Sequence, residues 1–375
     1  MGYALQTLWS EKARYAPGVG AVAFSALLIA LQVGLLLGLF EMTSIPVDHT
    51  SADIWVGAND VPSVDLGRPI PASHMARLDK AGVQMPELYY LAFASWTKPQ
   101  GGSNLCTVIG SGLGADDAGA ANELTPEMRQ ALSEPRTVVV DRSDLERLGI
   151  TGIGDKGTVN GVDVRIVGVI DGLKSLAAPW IFCSHTTARE VLTVTTPAYR
   201  DHTTYLLARC ESKERAKEVV AELRQEHPEM SVYTADDFST KTRVYWLTRT
   251  KAGAALGYAA ILGLLVGALI TAQTLYAATM ASAKEFATLL ALGIPRRRIA
   301  GLVVAQAFWV GIIGIGLAFP VVIGLSKLVA AVGARVDLRW EVLLGASAIT
   351  LFTSLLAGLF ALRSVRKIEP MSLLR

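Results

Sequence analysis

The feature that most constrains this chain is the run Gly18–Phe40, GVGAVAFSALLIALQVGLLLGLF, which contains no charged side chain. A bilayer core of about 30 Å is crossed by about 20 apolar residues in a helix. The rival reading is a cleaved signal peptide. Its apolar core would run only about 7–15 residues, and the EMTSIPVDH that follows has no small-x-small cleavage site. An uncleaved anchor is expected. After a long gap come three more apolar runs, Gly253–Met280, Ile299 to about Leu325, and Glu341–Leu362. Pro320 lies inside the second of these and is expected to kink or end it.

Between the first run and the last three, the chain reads as an ordinary globular insert. Charged residues make up 18% of the whole, against about 25% in soluble domains. The net charge is +2, from 35 basic and 33 acidic residues, which gives no basis for nucleic-acid binding. The basic residues matter by position, because Lys and Arg near helix ends favour the cytoplasmic side. Lys12 and Arg14 precede the first run, and no Lys or Arg occurs between Glu41 and Gly67. Lys284 and Arg296–Arg298 sit between the second and third helices, and Arg363, Arg366, Lys367 and Arg375 follow the fourth. Arg249, Lys251, Arg335 and Arg339 dissent. The first two follow a long translocated domain, where the rule is weak, and Asp337 and Glu341 partly offset the others.

The expected fold is therefore a membrane α-helical protein with four transmembrane helices in a 1+3 arrangement, both termini cytoplasmic, and an inserted α+β extracytoplasmic domain. The expected segments are an interfacial amphipathic helix over 1–17, helices over 18–40, 246–282, 299–326 and 341–362, and the insert over 41–245. A cytoplasmic segment over 283–298, an outer loop over 327–340 and a tail over 363–375 complete the chain. The second helix is expected to continue outward through Tyr245 and Trp246 as one stiff rod.

Within the insert, strands are expected at 88–96, 105–110, 136–141, 162–170, 180–183 and 204–210, from their β-branched and aromatic content. GTVNGVDVRIVGVI (157–170) reads as a hairpin turning at Asn160-Gly161. Residues 212–227 read as a helix capped by Ser212 and stopped by Pro228, burying Ala216, Val219, Val220 and Leu223. No catalytic constellation emerges. His49, His74, His185, His202 and His227 show no metal-ligand spacing, and there is no HExxH motif or phosphate-cradling loop. Asp116-Asp117 and Asp236-Asp237 read as turn or cap residues. Cys106, Cys183 and Cys210 are expected as buried thiols, with one disulfide left open by the odd count. No cofactor is expected on this chain.

Residues 283–299, AKEFATLLALGIPRRRI, resemble the cytoplasmic segment of FtsX-like permeases, which has an acidic residue, apolar residues, Ala-Leu-Gly and a basic cluster. The ending RSVRKIEPMSLLR and the strand pattern at 157–170 are also similar to that family, and KTRVYWLTRTKAG with QTLYA resembles its DevC branch. The resemblance implies the permease subunit of a MacB/FtsX-type ABC transporter in a bacterial inner membrane. It implies a second copy of the chain and two copies of an ABC ATPase that carries the ATP and Mg. A periplasmic membrane-fusion protein, a TolC-like outer-membrane channel and an amphiphilic or hydrophobic substrate are further expectations. A regulator of cell-wall hydrolases and a lipoprotein-releasing permease are alternatives within the same architecture. Glu285, Phe286, Leu289, Leu290, Gly293 and Arg296 are the expected ATPase contact, an apolar helix being suited to a partner's groove. The small-residue pairs Gly34/Gly38, Gly253/Gly257 and Gly263/Gly267 are candidate helix-packing positions. Gln273 is expected to bond between helices.

Overall fold

The computed structural model describes residues 12–80, 83–175, 178–282, 285, 287–289, 292–331 and 339–365. Expectations for residues 1–11, Lys284, Phe286, Leu290, Arg335, Asp337 and the tail from 366 lie outside these. The chain divides into two units, Met1–Leu39 with Lys251–Arg375, and Phe40–Thr250.

Helix α1 (Lys12–Asp48) opens the first unit, and its last turns belong to the second. The second unit continues with β1 (Ile54–Ala58), β2 (Ile70–Pro71), α2 (Met75–Lys80) and the long strand β3 (Gln84–Thr97). Next come β4 (Ser103–Ser111), α3 (Pro126–Leu132), β5 (Thr137–Asp141), α4 (Leu145–Leu148), β6 (Lys156–Val159), β7 (Val162–Ile170) and β8 (Trp180–Ser184). Helix α5 (His185–Thr195), β9 (His202–Thr203), β10 (Tyr205–Arg209), α6 (Lys213–Glu226), β11 (Met230–Thr234) and α7 (Ala235–Arg249) complete it.

Two substructures share one sheet. In the first, β11-β1-β10-β3 pair antiparallel. Strands β1 and β3 flank β10 and are joined through α2, while β10 and β11 flank β1 and are joined through α6. These interlocked split βαβ units are the ferredoxin-like arrangement. In the second, the sheet runs on from β3 through β4, β8, β5, β7 and β6, and β6 pairs back on β3 with Trp96 opposite Val159. Six strands thus close into a barrel, and β3 is common to both substructures.

Burial follows from this sharing. One face of the ferredoxin-like sheet packs Ile54, Val56, Leu206 and Val232 against Leu78 of α2 and Val219, Val220 and Leu223 of α6. On the other face Trp55, Tyr89 and Tyr205 surround Phe238 of α7, with Ile45 and Val47 from the end of α1 in the same core. The barrel has its own core of Trp96, Cys106, Val138, Val140, Val164, Ile166 and Ile181.

All six expected strands form, with ends that agree to within four residues. The 157–170 hairpin forms as β6 and β7. Asn160 (φ 48°) and Gly161 (φ 87°) supply the two positive φ values of a type I′ turn. Ser212 Oγ accepts the Arg215 N–H at 3.1 Å to cap α6, and the four expected residues are its buried ones. The stiff rod is corrected. Helix α7 stops at Arg249, and Thr250 is extended (φ −104°, ψ 148°). The Thr250 hydroxyl donates to the Trp246 carbonyl at 2.5 Å, a local side-chain bond that competes with helix continuation.

The first unit adds α8 (Lys251–Ala281), α9 (Arg296–Ala331) and α10 (Trp340–Val365). Each of these and α1 is long and apolar enough to cross a membrane. Pro320 lies inside α9 without ending it. The packed positions between these helices are small. A Cβ on Gly314 would meet Val22 at 2.7 Å, one on Gly311 Leu351 at 2.8 Å, and one on Gly358 Ala307 at 2.7 Å. Close backbone approach of this kind is how helices associate where water gives no hydrophobic drive.

Candidate functional site

The segment between α8 and α9 is built from the end of one helix and a tight reversal. The Leu292 N–H donates to the Thr288 carbonyl at 3.0 Å, and the Ile294 N–H reaches back to Leu289 O at 3.1 Å. That second bond spans a residue with φ 86°, Gly293. This is the left-handed helix terminus that glycine makes without strain. Pro295 follows, its carbonyl accepting the Arg298 N–H at 2.9 Å, and α9 opens at Arg296.

The segment presents its side chains unequally. Ala287 is fully buried with Ile299 and Val303, and Leu289 and Ile294 pack against them. Leu292 is 75% exposed at the tip. Arg297 and Arg298 are exposed beside it. Glu285 is engaged within the chain: Arg14 Nη1 donates to its Oε1 at 2.7 Å and to Ser282 Oγ at 3.3 Å. The structure thus brings Glu285, Leu289 and Gly293 onto one segment and adds two participants outside the expected contact, Arg14 and Leu292, the second of which the sequence reading quoted only as the middle of the Ala-Leu-Gly of the resemblance.

Among the small-residue pairs, Gly263 and Gly267 are buried against α1. A Cβ there would meet Gln32 Oε1 at 2.3 Å and Ser25 Oγ at 2.7 Å. One turn further, Ser25 Oγ and Thr271 Oγ1 share a buried hydrogen bond of 3.1 Å. Gly34, Gly38 and Gly253 are buried and Gly257 is partly so. Gln273, expected to bond between helices, instead lies exposed, and Thr271 makes the interhelix bond.

In the second unit, the end of α1 and α7 are tied by charge. Arg243 donates to Asp48 Oδ2 at 2.5 Å and to Ser44 Oγ at 2.9 Å. Trp246 Nε1 donates to Asp65 Oδ1 at 3.2 Å. Glu87 is buried beneath the 112–119 loop, accepting the N–H groups of Gly112 and, at 2.9 Å, Gly119, with His185 Nε2 at 3.4 Å. All three cysteines are free thiols, and burial pushes that of Cys106 up to about 12. Cys106 and Cys183 are buried packing groups, whereas Cys210, expected to be buried, is only partly so.

Among the described residues, four helices of membrane-crossing length, with a folded α/β domain inserted after the first, define a membrane protein that carries a large folded insert. Residues 19–226 match the MacB-like periplasmic core domain, and residues 257–370 match the FtsX-like permease C-terminal. The first match alone covers more than half of the 375 residues, and the chain belongs to this family of FtsX/MacB-type permeases, the non-catalytic membrane components of ABC transporters.

Similar solved structures include the periplasmic region of MacB from Actinobacillus actinomycetemcomitans, at 12% identity and a TM-score of 0.35, over 52% of this chain and 94% of that one. The extracellular domain of the noncanonic ABC-type transporter YknZ from Gram-positive bacteria has 12% identity and a TM-score of 0.33, over 48% and 99%. A domain of a putative permease protein from Porphyromonas gingivalis has 13% identity and a TM-score of 0.31, over 51% and 90%. No curated protein sequence matches the chain.

Proposed function

We propose that the chain is the permease of an exporter in which two copies pair with two copies of a separate ATPase, the ATPase supplying the bound ATP and Mg. The 283–298 segment is the ATPase contact, and the inserted domain acts on an amphiphilic or hydrophobic substrate outside a bacterial inner membrane. A membrane-fusion protein and a TolC-like channel, as in the DevC branch, complete the export path.

The observation that carries the reading is the exposed tip Leu292-Gly293 on a segment whose Ala287, Leu289 and Ile294 pack into its own helices. It is a single apolar knob flanked by exposed arginines, the shape that fits a groove on a soluble partner. Pairing of two copies is supported by α8. Its exposed face carries Tyr258, Leu262, Leu265, Leu269 and Tyr276, and Gln273 lies on the same stripe. Lipid cannot satisfy an amide there, and a second copy can.

The test is a pair of substitutions. Leu292→Asp should insert normally and retain thermal stability, yet lose ATPase co-purification and export. Leu289→Asp should instead destabilise the permease itself, by about 2–4 kcal/mol for a charge set among Ala287, Ile299 and Val303. Retained ATPase binding and export in Leu292→Asp would move the contact elsewhere.

A further inference from the structure

Three of the chain's five histidines lie around one corner of the second unit: His202 in β9, His74 in the turn after its partner β2, and His227 beside Glu229, which bonds Arg77 of the helix that follows that turn. Strand β2 pairs with β9 over only two positions, Ile70 opposite Thr203 and Pro71 opposite His202. The Ala72 N–H adds a bond to Asp201 O at 3.0 Å, and His74 ends the short turn that follows. His227 closes α6, its N–H donating to Leu223 O at 2.9 Å. Arg77 of α2 is bonded to Glu229, and His227 Nδ1 lies 3.6 Å from the same carboxylate. The Nδ1 atoms of both His74 and His202 are buried without a hydrogen-bond partner.

The charge balance of this corner depends on protons. The groups facing His74 are Arg77, Glu229, His227 and His202. With neutral imidazoles, Arg77 and Glu229 cancel. Each proton added leaves one more cation, and Glu229, already held by Arg77, is the only carboxylate among those groups. Among the described residues, no group of three or more His, Cys, Asp or Glu is arranged to hold a metal ion. Protons are the ligand that this arrangement takes.

We propose that this corner is an acid-operated release: protonation of His74 parts the β2–β9 ladder from the end of α6 while the barrel stays closed. The opening is bounded on its inner side. Thr203 Oγ1 accepts the Tyr89 N–H at 3.1 Å and donates to Tyr89 O at 2.8 Å, so the inner position of the ladder remains tied to β3. Burial first, and Arg77 next, hold His74 below the ordinary histidine range; Glu229 opposes, and the other two histidines add to the lowering. The closed corner therefore prefers the neutral ring. Its stability is complete above the open-state value of about 6.5 and is lost as pH falls from there through the closed-state value.

Hydrogen exchange of the full chain in detergent at about pH 7.5 and pH 5.5, corrected for the intrinsic rate, tests this. Linkage bounds the effect at about tenfold for His74 over that interval. Segments 68–80 and 224–232 should lose protection severalfold at the lower pH, while β5 and β7 change little. The double variant His74→Gln, His202→Gln should keep its protection and lose the pH response. A corner whose protection does not change with pH, or a double variant with the full response, overturns the proposal. If that variant is already open at the higher pH, Arg77→Gln decides. It removes a standing cation without removing a proton acceptor, so a weakened acid response is expected and an unchanged one refutes the mechanism.

Discussion

Glu87 shows how one buried carboxylate can organise a loop. Burial alone would raise its pKa, but His185 and the two glycine N–H groups outweigh that cost and hold it below the ordinary carboxylate value. A folded-state value below the unfolded one stabilises the fold at neutral pH, and that contribution is lost as pH falls through the folded value. Glu87→Gln keeps the shape and removes the charge, so it should cost about 2 kcal/mol at neutral pH. Thermal unfolding of the full chain should show the deficit shrinking as the pH drops toward 4 and below. Nothing in the sequence marked Glu87. It sits inside a strand of apolar and aromatic residues, and its three partners come from positions 112, 119 and 185, which only the fold brings together. By contrast, Ser212 as a cap and Asn160-Gly161 as a turn were legible, because each acts within three residues of itself.

Among the helices, glycines that look alike in sequence differ in what they touch. Gly267 meets both Oγ and Cβ of Ser25, at 2.7 and 3.1 Å, whereas Gly263 meets the end of the Gln32 side chain, which can swing aside. Gly316 has nothing within 4 Å. Gly267→Leu should therefore lower the melting temperature of the detergent-solubilised chain by several degrees, corresponding to an overpacking cost of about 1–3 kcal/mol. Gly263→Ala should cost less, and Gly316→Ala should be neutral. Equal losses at all three would mean that the α1–α8 contact is not the one that limits stability. The four-residue spacing of Gly263 and Gly267 pointed to a packed face. Gly311, Gly314 and Gly358 are as closely packed but follow no such spacing, since their partners lie on α1, α9 and α10. Strands β1 and β11 were missed for a related reason. They are five residues each and buried on both faces of β1, so no alternation marked them.

At the scale of the whole molecule, the four long apolar helices among the described residues and the distribution of Lys and Arg lead to the expectation of both ends on one side and the insert on the other. A reporter fused near Ala120 should be extracytoplasmic, and reporters near Arg297 and after Arg375 cytoplasmic. A cytoplasmic reporter at Ala120 would invert every assignment at once. The long apolar helices were readable because hydropathy is a local property that sums along a helix. The two-part design of the insert was not, because it depends on which distant strands pair. Strand β3 is the shared member, and this bears on the order in which the domain can be built as the chain emerges. The barrel is made from one uninterrupted stretch, 84–184. The ferredoxin-like sheet needs β10 between β1 and β3, and β10 begins at Tyr205. A nascent chain crossing the membrane can thus complete the barrel while β1 still waits, unpaired, for a neighbour more than 140 residues downstream. The barrel then offers the extended edge of β3 as a template, and the later strands assemble on it.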